Sequence, residues 1–144
     1  MADYYTQFSC ILDVGTAENA VRAEAVRFEF AADLYREEGG YPGFSMEVDH
    51  TTGPGALWIS SDEYGEPEHV IEFVLRCAEA LGLAGRWGFS WSHACSRPRV
   101  DAFGGGAHVL DLGRRQSIAD IDCNAFVHEQ IARRQAEAAE GVPS

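Results

Sequence analysis

Three observations predict an α+β fold of the ferredoxin-like type. Apolar residues recur at helical spacing in two long stretches, they alternate with polar ones in four shorter stretches, and these segments follow one another as strand, helix, strand, strand, helix, strand. That order is the split βαββαβ arrangement, in which both helices lie on one face of an antiparallel sheet. An additional C-terminal strand and helix follow. With 144 residues, 46% of them apolar or aromatic, the chain has the size and composition of one domain. We read residues 1–140 as a single α+β domain and 141–144 as a frayed tail.

In "YYTQFSCILDVG" Phe8, Cys10, Leu12 and Val14 share one face and Gln7, Ser9 and Asp13 the other, with Ile11 out of pattern, which describes a half-buried strand. Thr16 offers an N-cap hydroxyl to a helix in which Val21, Ala25, Phe28, Ala32 and Tyr35 form the expected core stripe, widened by Ala31 and Leu34. Arg22, Glu29, Asp33 and Arg36 face away, and Gly39 with Gly40 ends the helix. "FSMEVD" alternates again, with Phe44, Met46 and Val48 inward and Ser45, Glu47 and Asp49 outward; "HTTGPG" turns the chain into "ALWIS", so the second and third strands make a hairpin. Pro67 suits a first helical position, Val70, Val74, Cys77 or Ala78, and Leu81 give the second helix its inner face, and Gly82 stops it. "RWGFSWSHAC" sets Trp87, Phe89, Trp91, His93 and Cys95 against smaller residues as a fourth strand. "AHVLDL" is a fifth strand that pairs back on the fourth, and "IDCNAFVHEQIARRQAEAAE" is a last helix packing through Cys123, Phe126, Val127 and Ile131.

Charge is distributed unevenly. The formal net charge is -12, and residues 1–75 hold 15 acids and 3 arginines while residues 76–144 hold 8 of each, so the whole excess lies in the first half. The sequence contains no lysine, which excludes Schiff-base chemistry and the lysine contact of a Walker-type phosphate loop. An acidic surface repels nucleic acid and anionic lipid over about 8 Å at physiological salt and attracts basic surfaces. The first segment lacks a basic leader and an apolar core, and no stretch reaches the ~18 continuous apolar residues of a membrane helix. Cys10, Cys77, Cys95 and Cys123 are scattered singly, as reduced core thiols are. Together these features lead us to expect a cytoplasmic protein.

The triplet "GGG" at 104–106 precedes a strand pattern and is followed by neither a helix start nor Lys-Ser/Thr, so it fits no phosphate-binding template. Its expected role is a structural hinge between the fourth and fifth strands. His93, Cys95, Arg97, Arg99, Asp101 and His108 crowd the same region. One reading makes Cys95 or His93 reactive and lets Arg97, Arg99 and His108 hold an anion; the other makes them a buried thiol, a strand-end histidine and solvated arginines. The cysteine spacings match no structural zinc site, and no cofactor or metal is called for.

The remaining candidate is acidic. If the inward residues meet the helices, the opposite sheet face carries Gln7, Ser9, Asp13, Ser45, Glu47 and Asp49, and "SDEYGEPEHVIE" adds Asp62, Glu63, Glu66 and Glu68 near the start of the second helix. Helix-start electrostatics explains part of that second group. The expected partner surface is Asp13, Glu47, Asp49, Asp62, Glu63, Glu66 and Glu68, facing a basic or nucleic-acid-binding protein. Direct nucleic-acid contact through the sheet is disfavoured, because that mode needs aromatic residues and basic flanks.

With "YYTQFSCILDVGTAENA", "GEPEHVIEFVLRCAEALGL", "GRWGFSW" and "CSRPRVDAFGGGAHVLDL" quoted, most of residues 4–127 resembles a group of small bacterial proteins carried by plasmids and integrative elements, a group with no assigned activity. The first strand and its exit at Gly15 are also similar to YubB-type ferredoxin-like domains, without their opening Trp-Cys pair. The resemblance implies a mobile-element context, in which small acidic proteins bind host defence or nucleic-acid-processing machinery. The leading expectation is a non-enzymatic acidic binder, of anti-defence or DNA-mimic type. The alternatives are a small enzyme or anion-binding domain at the His93/Cys95/Arg97/Arg99 tip, and a structural or oligomerisation module, including a homodimer.

Overall fold

The computed structural model describes residues 2–139, and side chains as far as residue 135. The elements are β1 (Tyr4–Asp13), α1 (Ala17–Glu38), β2 (Ser45–Val48), β3 (Ala56–Ser61), α2 (Pro67–Leu81), β4 (Arg86–Cys95), β5 (Gly104–Asp111), β6 (Gln116–Asp122) and α3 (Cys123–Ala139). The strands form one open sheet in the order β2-β3-β1-β4-β5-β6, with every neighbouring pair antiparallel. The architecture is thus α+β.

Local chemistry sets the helix limits. The Thr16 hydroxyl accepts from the Asn19 N–H at 3.0 Å, and Gly39, in the left-handed region at φ +74°, returns its N–H to the Tyr35 carbonyl. Pro67 opens α2 and Gly82 closes it in the same left-handed manner. Both helices cover the face formed by Phe8, Leu12, Leu57, Ile59 and Leu110. Phe44 stands between Phe30 of α1 and Phe73 of α2, with ring centroids 6.3 and 5.3 Å away. Burying such side chains contributes roughly 1.5–3 kcal/mol each.

β1 divides its pairing. Tyr4–Gln7 ladder with β4 and Phe8–Asp13 with β3. Beside the second half, the Trp87 indole N–H of β4 donates to the Ile11 carbonyl at 2.8 Å and occupies a backbone acceptor that would otherwise lack a partner.

Four expectations are corrected. The buried row of α1 is Ala20, Ala23, Phe30 and Leu34, and the stripe Val21, Ala25, Phe28, Ala32 and Tyr35 faces outward. The cause is Arg27, which occupies a core-row position half-buried, with its guanidinium 5.8 Å from the centroid of the Phe44 ring. An arginine there makes the true inner face look less apolar than the outer one. Cys123, Phe126, Val127 and Ile131 of α3 are likewise exposed. The C-terminal addition contains two strands, because β6 precedes α3 and takes Ile121 and Asp122 from the expected helix. Finally, the three glycines are rungs of β5 opposite His93, Ser92 and Trp91, and the chain reversal lies upstream of them. The expected frayed tail at 141–144 lies outside the described residues.

Candidate acidic binding face

Alternation along β1, β2 and β3 determines which side chains leave the core. Because Phe8, Leu12, Leu57 and Ile59 point to the helices, Gln7, Ser9, Asp13, Ser45, Glu47, Trp58 and Ser60 point to the other side. Glu47 sits directly across the β2–β3 ladder from Trp58, and Ser60 lies between Ser9 and Ser45. Trp58 is 41% exposed, and its indole N–H donates to the Ser9 hydroxyl at 2.8 Å, which fixes the ring on the surface. Ser9, Ser45, Glu47, Trp58, Ser60 and Asp62 line a shallow cavity of about 390 Å³. The Gln7 side-chain amide donates to the Asp62 carbonyl at 2.9 Å and ties the end of β3 to β1.

The seven candidate acids do not form one cluster. Glu47 and Asp62 share the cavity, while Asp13 is exposed at the end of β1 on the same face and accepts from the Gly15 N–H at 2.8 Å. Asp49 belongs to the β2–β3 turn. It accepts from the Thr51 hydroxyl and N–H and from the Thr52 hydroxyl, and these bonds hold its carboxyl below the usual carboxylate range. Glu63 and Glu66 are exposed along the β3–α2 connection, with Glu66 at the N-cap of α2, and Glu68 is exposed in the first turn of the helix. Among the described residues the ion pairs engage Asp33, Glu38, Glu72 and Asp101, none of which is a candidate.

The β4–β5 tip is arranged differently. Arg97 and Arg99 are exposed beyond the Cys95 end of the ladder, whereas His108 lies well inside it opposite Phe89 and is hydrogen-bonded to Ser117 at 2.7 Å. These three groups do not converge on a common point. His93 Nδ1 is hydrogen-bonded to the Thr6 hydroxyl at 2.9 Å. Burial pushes the Cys10 and Cys77 thiols up to about 11 and about 12. Among the described residues no three potential metal ligands gather, and no helix is long and apolar enough to cross a membrane.

Trp58 and Ser60 were not singled out by sequence reasoning. The signal was present in "ALWIS", where Leu57 and Ile59 facing inward oblige Trp58 to face outward. Compared with known proteins, the chain matches no family model, no curated protein and no solved structure.

Proposed function

We propose that this protein is a non-enzymatic acidic binder whose helix-free sheet face receives a basic segment of a partner protein. The observation that carries this reading is the exposed Trp58 indole with Glu47 and Asp62 lining the same cavity. An arginine or lysine entering there would lie on an aromatic face and meet carboxylate oxygens, two interactions suited to a cation. The serine hydroxyls around it add acceptors without filling the space.

The order β2-β3-β1-β4, antiparallel throughout, supports a ferredoxin-like split arrangement with β5, β6 and α3 appended. The resemblance to plasmid-borne and integrative-element proteins supports a cytoplasmic inhibitor of a host nucleic-acid-binding system, with its carboxylates standing in for phosphates. Fold alone does not assign this role, so the test concerns the surface.

The protein is immobilised at low salt, washed at rising salt, and the eluted proteins are identified by mass spectrometry. A basic nucleic-acid-handling protein is expected to be retained at low salt and released at high salt. Glu47→Arg with Asp62→Arg should weaken its binding roughly tenfold or more, and Trp58→Ala should weaken it at constant net charge. Affinity unchanged by both variants would rule this reading out.

A further inference from the structure

We propose that the outer face of α1 is a homodimer interface in which two copies of the helix pack antiparallel across a twofold axis. Val21, Phe28 and Tyr35 are 68, 76 and 60% exposed, although they stand in line with Ala25 and Ala32 at spacings of four, three, four and three residues. That spacing is a coiled-coil seam two heptads long, on the side of α1 opposite its buried row. A helix that is apolar on both sides is expected to be covered on both. The Tyr41 ring lies 5.9 Å from that of Tyr35 and extends the patch at one end.

Shape selects the direction of pairing. Along the seam large residues (Val21, Phe28, Tyr35) alternate with small ones (Ala25, Ala32). A parallel pair would oppose large to large and small to small, leaving clashes beside voids. An antiparallel pair opposes Phe28 to Ala25 and Val21 to Ala32 of the second copy, so that these two knobs each meet a hole, while Tyr35 lies beyond the second alanine at the end of the seam. Charge then selects the register. With Phe28 against Ala25, Arg22 of each copy, its guanidinium held by the Ala80 carbonyl and Asn19 side chain of its own chain at 2.8 and 3.3 Å, flanks Glu29 of the other, giving two opposite-charge contacts. A shift to Phe28 against Ala32 would set Glu29 against Glu29 and Arg22 against Arg36. The favoured arrangement is self-complementary, as a twofold interface requires. It leaves the acidic sheet face open, because the helices and that face lie on opposite sides of the sheet, so this inference stands or falls independently of the proposed function.

Sedimentation velocity on the full chain over a range of concentrations is the test, with circular dichroism confirming that each variant folds. The wild type is expected to be a dimer. Phe28→Glu, at an exposed position, should raise the dimer dissociation constant roughly thirtyfold or more, and Ala32→Gln should do so by overfilling the hole. Arg22→Glu and Glu29→Arg should each weaken the dimer, and the double variant should restore it. Ile131→Glu on the exposed α3 should change nothing. A monomeric wild type, a dimer that Ile131→Glu dissociates, or a double charge variant no better than the singles would each overturn the proposal.

Discussion

At Gly105 a β-carbon would stand 2.2 Å from the Trp91 carbonyl oxygen of the neighbouring strand, and the residue's φ of +146° is one that L side chains rarely adopt. At Gly106 the same atom would meet the Trp91 ring at 2.5 Å and the Ile121 carbonyl oxygen at 2.6 Å. The missing side chains thus let β4, β5 and β6 close around the Trp91 indole. We expect Gly105→Ala to lower stability by about 3 kcal/mol, from backbone strain and overpacking combined, as measured by denaturant titration. A loss below about 1 kcal/mol would show that the strand ends shift freely. That the triplet is structural could be read from the absence of lysine and of a following helix. Its place within a strand could not, because the deciding contact is with Trp91 on another strand. Trp58 shows the same division: its direction was legible from alternation, but its company with Glu47 and Asp62 depends on how three strands meet.

At the scale of elements, polar contacts join α1 to α2 at both ends of their shared edge: the Arg22 guanidinium donates to the Ala80 carbonyl at 2.8 Å, and the Arg76 guanidinium, braced within α2 by Glu72 at 3.2 Å, donates to Asp33 at 2.8 Å. The hydrogen bond from Arg76, aided by the charge of Arg36, holds the Asp33 carboxyl below its ordinary value. A depressed carboxyl contributes stability above its unfolded pKa and loses it as pH falls through the native one. Asp33→Asn should therefore unfold more readily than the wild type at neutral pH. The difference should vanish in acid below the usual carboxylate range, as read from thermal melts across pH. A difference that is constant with pH would mean that Asp33 acts by shape alone. The sequence displayed α1 as an element but not its orientation, since Arg27 disguised the inner row and the outer row is as apolar as a core stripe. It concealed β6 for a different reason. Every residue of that strand is exposed and its pairing shifts register between Val109 and Leu110, so no alternation marks it.

Across the whole molecule, the first half of the chain supplies α1, the start of α2, the β2–β3 hairpin and the excess negative charge, so the split between an apolar helix side and a polar outer side of β1–β3 was legible in outline. The location of each acid was not. Asp49 is taken up by a turn and Glu66 by a helix start, roles that depend on the backbone around them. Thiol chemistry can report whether the layers separate as one unit. Cys123 is exposed, while Cys77 is fully buried on the inner face of α2 with its thiol pushed up to about 12. Maleimide at neutral pH should label Cys123 in the native protein and reach Cys77 only in step with global unfolding by denaturant. Labelling of Cys77 well before that transition would reveal α2 lifting off alone.

The divided pairing of β1 affects how this chain reaches its structure. Both strands that flank β1 come later in the sequence, so on a nascent chain its Phe8, Cys10 and Leu12 must wait unpaired until β3 and then β4 emerge. The central ribbon is completed by contacts far apart in sequence, a high contact order that slows folding. During that delay the apolar face of β1 is open to chaperones.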